Sequence, residues 1–337
     1  MEEIDIVITW VDGGDTDWLK EKAKYSNLAE TTESIDPARF RDWGTLKYVL
    51  RSIEQNATWV NKIFLVTANQ IPSWFKSQDK LVIVNHTDFI PSEFLPTFSS
   101  HVIECFINRI PGLSKKFIYF NDDTMVLRPS KSSDFFVNDK PCDYASLHIH
   151  AVKESLMIHQ IANNDISIIN EHFDINNQLK QYRFKWFNPK YGIKRLLKTF
   201  ILSKSPRFPG MEQHHMPQPY LRKTFEEVWE AEPALLLKTA SHKFRDRNDI
   251  NQWLFRDWQL ASGNFEPVSP RNRGLMIDFE KNDEIEELEK CERELQKKKY
   301  LMICINDGDS IQNHELIMSR VQGALESTFP RKAPWER

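Results

Sequence analysis

Through the first 120 residues, short unbroken apolar runs alternate with stretches whose apolar positions recur at helical spacing. Ile4-Asp5-Ile6-Val7-Ile8-Thr9-Trp10-Val11 is a β-branched run closed by the turn sequence Asp12-Gly13-Gly14-Asp15. Leu46, Val49, Leu50 and Ile53 predict an amphipathic helix over 45–56. Two further strands are read at Ile63–Thr67 and Leu81–Val84. Val102, Ile103, Phe106, Ile107 and Ile110 mark another helix, and Phe117-Ile118-Tyr119-Phe120 a fourth strand. Strands that are apolar throughout and alternate with helices predict a mostly parallel α/β sheet with helices on both faces.

After about residue 148 the pattern changes. Residues 148–210 are less regular and Asn-rich, then strongly basic: Lys180 to Arg207 holds nine Lys or Arg and no Asp or Glu. Tyr182, Phe184, Trp186, Phe187, Tyr191 and Phe200 are interleaved with these cations, so the segment is read as a basic, aromatic-rich insertion or subdomain. The chain then divides into 1–147 and 213–337, two parts of one α/β core, with 148–212 between them. Helices are predicted at 219–230 and 247–261, and a charged helix at 282–298 carries the stripe Ile285, Leu288, Cys291 and Leu295. A strand at 301–305 and a helix at 313–327 complete the pattern.

Composition narrows the class. A chain of 337 residues, 40% hydrophobic and 28% charged, has the makeup of a soluble protein with a substantial core. Its net charge of −3 gives no ground for nucleic-acid binding. Cys105, Cys142, Cys291 and Cys304 lack CxxC spacing and read as reduced, buried thiols. No apolar run approaches the ~20 residues that cross a bilayer, and Met1-Glu2-Glu3 is not a signal pattern. A cytoplasmic location is expected.

The strongest chemical signal is Asn121-Asp122-Asp123, which a hydrophobic strand delivers at its carboxyl end, where open α/β sheets bind ligands. Adjacent carboxylates repel unless a shared proton or a cation offsets them, and a hard ion such as Mg²⁺ also bridges diphosphate oxygens. Asn-Asp pairs open turns as well, and the motif alone supports both readings. Gly13-Gly14 would let backbone amides approach a phosphate, although a plain tight turn has the same sequence; neither a GxGxxG nor a P-loop is present. Asn306-Asp307-Gly308-Asp309 repeats the strand-then-Asn-Asp arrangement and could bring a further carboxylate to the same metal from the same sheet. His214-His215 lies in a loop suited to proton transfer. Ser241–Asp249 concentrates charge, including Arg245, before a Trp-containing helix.

In order and wording these segments resemble the Stealth-type sugar-phosphate transferases. The blocks that carry the resemblance are Ile4–Gly13, then Arg39-Phe40-Arg41-Asp42 through Leu50–Glu54, Ile71–Trp74, Leu95–Ser100 and Glu104 to Phe120–Asp123. His215-Met216-Pro217 with His242–Arg245 forms a third block, and Cys304–Asp307 a fourth. The resemblance implies a Rossmann-like, glycosyltransferase-A-like core. It also implies transfer of a hexose-1-phosphate or N-acetylhexosamine-1-phosphate from a nucleotide diphosphate sugar, such as a UDP-sugar, to a glycan hydroxyl. On that reading Asp122 and Asp123 hold Mg²⁺ (or Mn²⁺) or help activate the acceptor, Asp307 is a further acidic or metal-site member, His215 is the general base and Arg245 stabilises phosphate. Arg41, Asp12, Gly13, Ser99, Ser100 and Glu104 bind the donor. The acceptor is expected on a lipid carrier, with residues 180–207 contacting the acceptor or the anionic inner face of the cell membrane. The alternatives are a metal-dependent glycosyltransferase that releases nucleoside diphosphate, and a non-catalytic carbohydrate-binding scaffold.

Overall fold

The structure, a computed structural model, describes residues 2–29, 31–35, 40–151, 157–279, 283–307 and 311–337. The N-terminal part runs β1 (Ile4–Thr9), α1 (Thr16–Tyr25), α2 (Leu46–Asn56), β2 (Ile63–Thr67), β3 (Leu81–Asn85), α3 (Ser100–Phe106) and β4 (Lys116–Asn121). Three short strands follow, β5 (Thr124–Val126), β6 (Phe136–Val137) and β7 (Lys140–Asp143). The helices α4 (Met157–His172), α5 (Ile175–Gln181), α6 (Arg183–Trp186) and α7 (Ile193–Leu202) come next, then β8 (Gln218–Leu221), α8 (Arg222–Ala231), α9 (Pro233–Ala240) and α10 (Gln252–Ala261). The chain continues through β9 (Glu266–Pro267), β10 (Gly274–Asp278), α11 (Glu284–Lys297), β11 (Met302–Asn306) and α12 (His314–Thr328).

The main sheet has the order β3-β2-β1-β4-β8, with the first four strands parallel and β8 antiparallel at the edge. Alternation along β1 explains how the sheet is covered on both faces. Ile4, Ile6 and Ile8 enter a core with α2, α11 and α12, while Val7 enters the opposite core with α3, α4, α8 and α10. Each such fully buried side chain contributes about 1.5–3 kcal/mol of transfer free energy. Asp5 interrupts the apolar run, yet its carboxylate accepts from Asn61 Nδ2, Lys62 N and Ser114 N, so the buried charge is satisfied. The Rossmann-like, mostly parallel α/β architecture is the one the pattern predicts, and all four cysteines are free and buried.

Three expectations are corrected. The Asn-rich stretch is not irregular: α4 to α7 form there, and Ile166, Ile169, Ile175, Leu179, Trp186 and Tyr191 join the same core as Val7 and Phe117. Tertiary burial overrides the weak helix preference of Asn. Second, β11 is not in the main sheet. It pairs with β10 in parallel and with β5 antiparallel, in a separate sheet ordered β10-β11-β5. Third, the inward stripe of α11 is Leu288, Cys291 and Leu295 with the acidic Glu287, while Ile285 faces solvent.

Candidate active site

Because β1 and β4 are parallel with Thr9 beside Asn121, the segments that follow them emerge side by side at one sheet edge. After β1, the Trp10 indole donates to Asp42 Oδ2 at 3.3 Å. The Asp12 backbone is held at both ends by the Gln70 amide, and its Oδ1 accepts from Gly14 N at 2.9 Å. Gly13 is required by a close backbone approach: a Cβ there would lie 1.8 Å from the Phe40 carbonyl oxygen. Asp15 closes the turn by capping α1, accepting from Asp17 N and Trp18 N.

After β4 the chain turns at once into β5, with Thr124 Oγ1 donating to the Asn121 carbonyl, so Asp122 and Asp123 sit half-buried in a tight reversal. Asn121 Nδ2 lies 2.8 Å from His215 Nε2, and that nitrogen is 3.7 Å from Asp123 Oδ2. From β11, the Cys304 thiol donates to Asp123 Oδ2 at 3.3 Å, and Ile305 N donates to the Asp123 carbonyl at 3.0 Å. Among the described residues, Asp123 Oδ1 is buried with no hydrogen-bond partner. Ligand-type atoms of Asp123, His215 and Cys304 lie within 4.8 Å of one another. Two segments nearly a hundred residues or more from β4 thus converge on one carboxylate.

Charge at this edge is in excess. Burial, then Asp123 and Asp42, push the Asp122 carboxyl well above its ordinary range. Burial likewise raises Asp42, with a further push from Asp12, against the hydrogen bonds from Gly44 and Trp10. Burial and Asp123 raise the Cys304 thiol, so it is a neutral donor and not a thiolate. An unpartnered buried carboxylate oxygen beside carboxyls that resist ionisation is a setting a divalent cation relieves. The Asp123 carboxylate could hold one, whereas Asp122 lies outside the Asp123–His215–Cys304 cluster.

The loop that carries His215 is braced from behind. Arg256 forms a buried fork onto Asp143, at 2.8 and 3.0 Å, and also donates to the Glu212 carbonyl and Gln213 Oε1. Although burial opposes it, Arg256 and His214 hold the Asp143 carboxyl below its ordinary range. His214 stacks on Tyr144, and burial with Arg256 nearby lowers its proton affinity. The two adjacent histidines therefore part ways: His214 belongs to the scaffold and His215 faces Asp123.

Residues 2–28, 39–143 and 214–254 match the models described as Stealth protein conserved regions CR1, CR2 and CR3. A Receptor polysaccharide phosphotransferase WefC of Streptococcus oralis is 39% identical over 339 residues, with 100% of both chains covered. The chain belongs to the Stealth family of phosphotransferases. A Capsular polysaccharide phosphotransferase WcwK of Streptococcus pneumoniae is 40% identical, covering 100% of this chain and 99% of that one. The Exopolysaccharide phosphotransferase cps2G of Lactiplantibacillus plantarum is 34% identical over 99% of this chain and 96% of its own. Among solved structures, the WbbM bifunctional glycosyltransferase overlaps 99% of this chain and 50% of its own at TM-score 0.41 and 11% identity. The galactosyltransferase LgtC overlaps 96% and 95% at TM-score 0.40 and 8% identity. Those two likenesses are too loose to bear on the site.

The Stealth regions meet at the sheet edge, and most of the sequence-derived candidates sit around it. Arg41 Nη1 reaches both Asp307 oxygens, at 3.3 and 3.1 Å, so Asp307 joins the edge as an ion-pair partner and not within the Asp123–His215–Cys304 cluster. Gly308, Asp309 and Arg39 lie outside the described residues. Arg245 Nη2 donates to Ser100 Oγ at 2.9 Å. Ser99 is fully buried. Glu104 is displaced from the donor-lining place expected for it: it is buried, accepting from Tyr119 OH at 3.2 Å and Gln252 N at 2.9 Å. It ties the sheet to α10. Residues the sequence reading left without a role are Asn121, Asp42 and Cys304. Asn121 directly precedes Asp122 and Asp123 in the chain, whereas Cys304 is recruited by β5–β11 pairing that no local pattern announces.

Proposed function

We propose that this Stealth protein transfers a hexose-1-phosphate or N-acetylhexosamine-1-phosphate from a nucleotide diphosphate sugar to a glycan hydroxyl, forming a phosphodiester in capsule or exopolysaccharide synthesis. The observation that carries the reading is the convergence of Asn121, Asp123 and His215 at the carboxyl end of β4 in a chain of this family. As assigned, Asn121 donates to His215 Nε2, which leaves that nitrogen with a lone pair and the proton on Nδ1. An acceptor hydroxyl that takes Asn121's place would give its proton to Nε2 while its oxygen bonds the β-phosphorus. The bond from that phosphorus to the bridging oxygen breaks, and nucleoside monophosphate departs with the electron pair. Such transfers depend chiefly on positioning and charge neutralisation. Arg245 is the cation proposed for the transferred phosphate, with Ser100 fixing its direction, and Asp12, Gly13 and Arg41 border the donor. Asp122 and Asp123 would hold Mg²⁺ or Mn²⁺, and the ion would neutralise diphosphate oxygens, leaving His215 Nε2 for the acceptor proton.

The acceptor in this reading is a lipid-linked glycan met at the inner face of the cell membrane. Phosphorus NMR of products from a panel of UDP-sugars, with analysis of the released nucleotide, tests the reaction. A phosphodiester with nucleoside monophosphate is the expected result. Nucleoside diphosphate with a phosphorus-free product would assign glycosyl transfer instead. Sugar binding that persists without turnover, and survives Asp123→Asn, would assign a scaffold.

A further inference from the structure

The basic insertion places its charges and its apolar residues on different sides of one helix. On α7, Arg195 and Lys198 face inward and are both taken by Glu212: Arg195 donates at 2.9 and 2.7 Å to Oε1, and Lys198 at 2.7 Å to Oε2. Thr199, one residue on, is buried and accepts from Leu147 N. The opposite face carries Ile193, Leu197, Phe200 and Ile201, which are 78%, 56%, 55% and 60% exposed. These positions follow helical spacing along successive turns, so they form one strip. Phe184, at the preceding short helix, is 88% exposed. Lys180, Arg183, Lys190, Lys194, Lys204 and Arg207 are exposed in the same segment, and from 175 to 211 the chain has no acidic residue. Lys204 Nζ lies 5.3 Å from the centre of the Phe200 ring, a cation set against the aromatic face of the strip.

We propose that this outer face of α7, with Phe184, docks on an anionic lipid bilayer, the apolar strip entering the headgroup–acyl boundary and the flanking cations meeting lipid headgroups. An amphipathic surface helix rimmed by cations is the form that binds this interface. Charge decides between a bilayer and a second copy of the chain. A two-fold contact through this strip would set one all-cationic segment against another, whereas an anionic surface complements it. The cations that matter are not those with the shortest contacts: Arg195 and Lys198 brace the protein, so binding rests on the other positions. Docking also has a bearing on the site. The helix that would lie on the membrane is fastened through Glu212 to the loop that carries His215, three residues further on. The bilayer would thereby fix the height and orientation of the proposed base towards a lipid-linked acceptor, an extension that rests on the phosphotransfer reading; the docking itself does not.

Vesicle co-sedimentation needs no turnover and separates the two. The full chain should sediment with phosphatidylcholine vesicles containing phosphatidylglycerol, weakly with phosphatidylcholine alone, and less as salt rises. Leu197→Gln/Phe200→Gln/Ile201→Gln, all at exposed positions, should lose at least about tenfold in partitioning with an unchanged thermal midpoint. Turnover of that variant on a short water-soluble acceptor should be unchanged. No sedimentation of the wild type with anionic vesicles would overturn the proposal, as would sedimentation that the triple variant retains. Concentration-dependent dimerisation of the wild type that the triple variant abolishes would overturn it in favour of a second copy.

Discussion

At the scale of single residues, the site rests on Asp123 and His215, and the surroundings of each carboxyl set what its removal should do. His215→Ala should lower kcat by about 10²–10⁴-fold, the usual span for a general base, with little change in donor KM and in circular dichroism. Near-normal turnover would refute the assignment. Asp122 behaves differently because burial, Asp123 and Asp42 raise its pKa well above 3.8. A carboxyl raised in the folded state holds its proton more tightly folded than unfolded. Its penalty is therefore absent below 3.8 and grows as pH climbs towards the folded value. In EDTA, Asp122→Asn should raise the thermal midpoint at neutral pH and leave it unchanged near pH 3, while abolishing metal-dependent activity. An equal gain at both pH values would show that the carboxyl is not under this strain. Asn121-Asp122-Asp123 was legible because it directly follows an apolar strand. The seat of Glu104 was not, since its partner Gln252 lies 148 positions away.

Elements were legible where a single stretch of chain determines them. The four parallel strands are short, largely apolar runs, and α2 shows its buried Leu46, Val49, Leu50 and Ile53 in the periodicity itself. The α4–α7 region was not, because its Asn-rich turns hide helices that form only when packed on Val7's side of the sheet. Nor could Thr124-Met125-Val126 announce itself as the strand that brings Cys304 to Asp123, since three residues carry no period. The Glu212 clamp on α7 is likewise a product of packing, and it predicts a pH response. Although burial pushes its carboxyl up, Lys198 and Arg195 draw Glu212 down from 4.5 to about 2. A depressed carboxylate stabilises the fold above its unfolded pKa and loses that contribution as pH falls through the folded one. The window is pH 4.5 down to about 2. With both cations about one-third exposed, the clamp contributes on the order of 2 kcal/mol after screening. Glu212→Gln should remove that acid-dependent loss and speed amide exchange over 193–202 at neutral pH. Unaltered exchange would mean that α7 is held by its apolar contacts alone.

Across the whole molecule, the C-terminal region closes back onto the first half of the chain, and one buried cation organises the closure. Arg51 on α2 forks onto Glu336 at 2.8 and 2.7 Å, reaches Glu326 on α12 at 3.0 and 2.9 Å, and donates to the Phe329 carbonyl. Around it, Lys76 N donates to the Trp335 carbonyl and Arg337 N to that of Trp74. The pairing Arg51–Glu336 is nearly solvent-free at both ends, whereas Glu326 is half exposed. Breaking a buried pair by removing one partner strands the other charge and costs about 3–5 kcal/mol, yet replacing both with apolar groups can cost far less. Arg51→Met should therefore lower the free energy of unfolding by about that amount, read from urea midpoints at constant m. Arg51→Met/Glu336→Leu should recover most of the loss, because neither charge is then left buried. Because Arg51 also satisfies the Phe329 carbonyl and half of Glu326, recovery should be incomplete, and Arg51→Met/Glu336→Leu/Glu326→Gln should come closer to wild type. If the double variant instead loses the sum of the single effects, the stranded-charge account fails, and the clasp acts through its hydrogen bonds to the backbone.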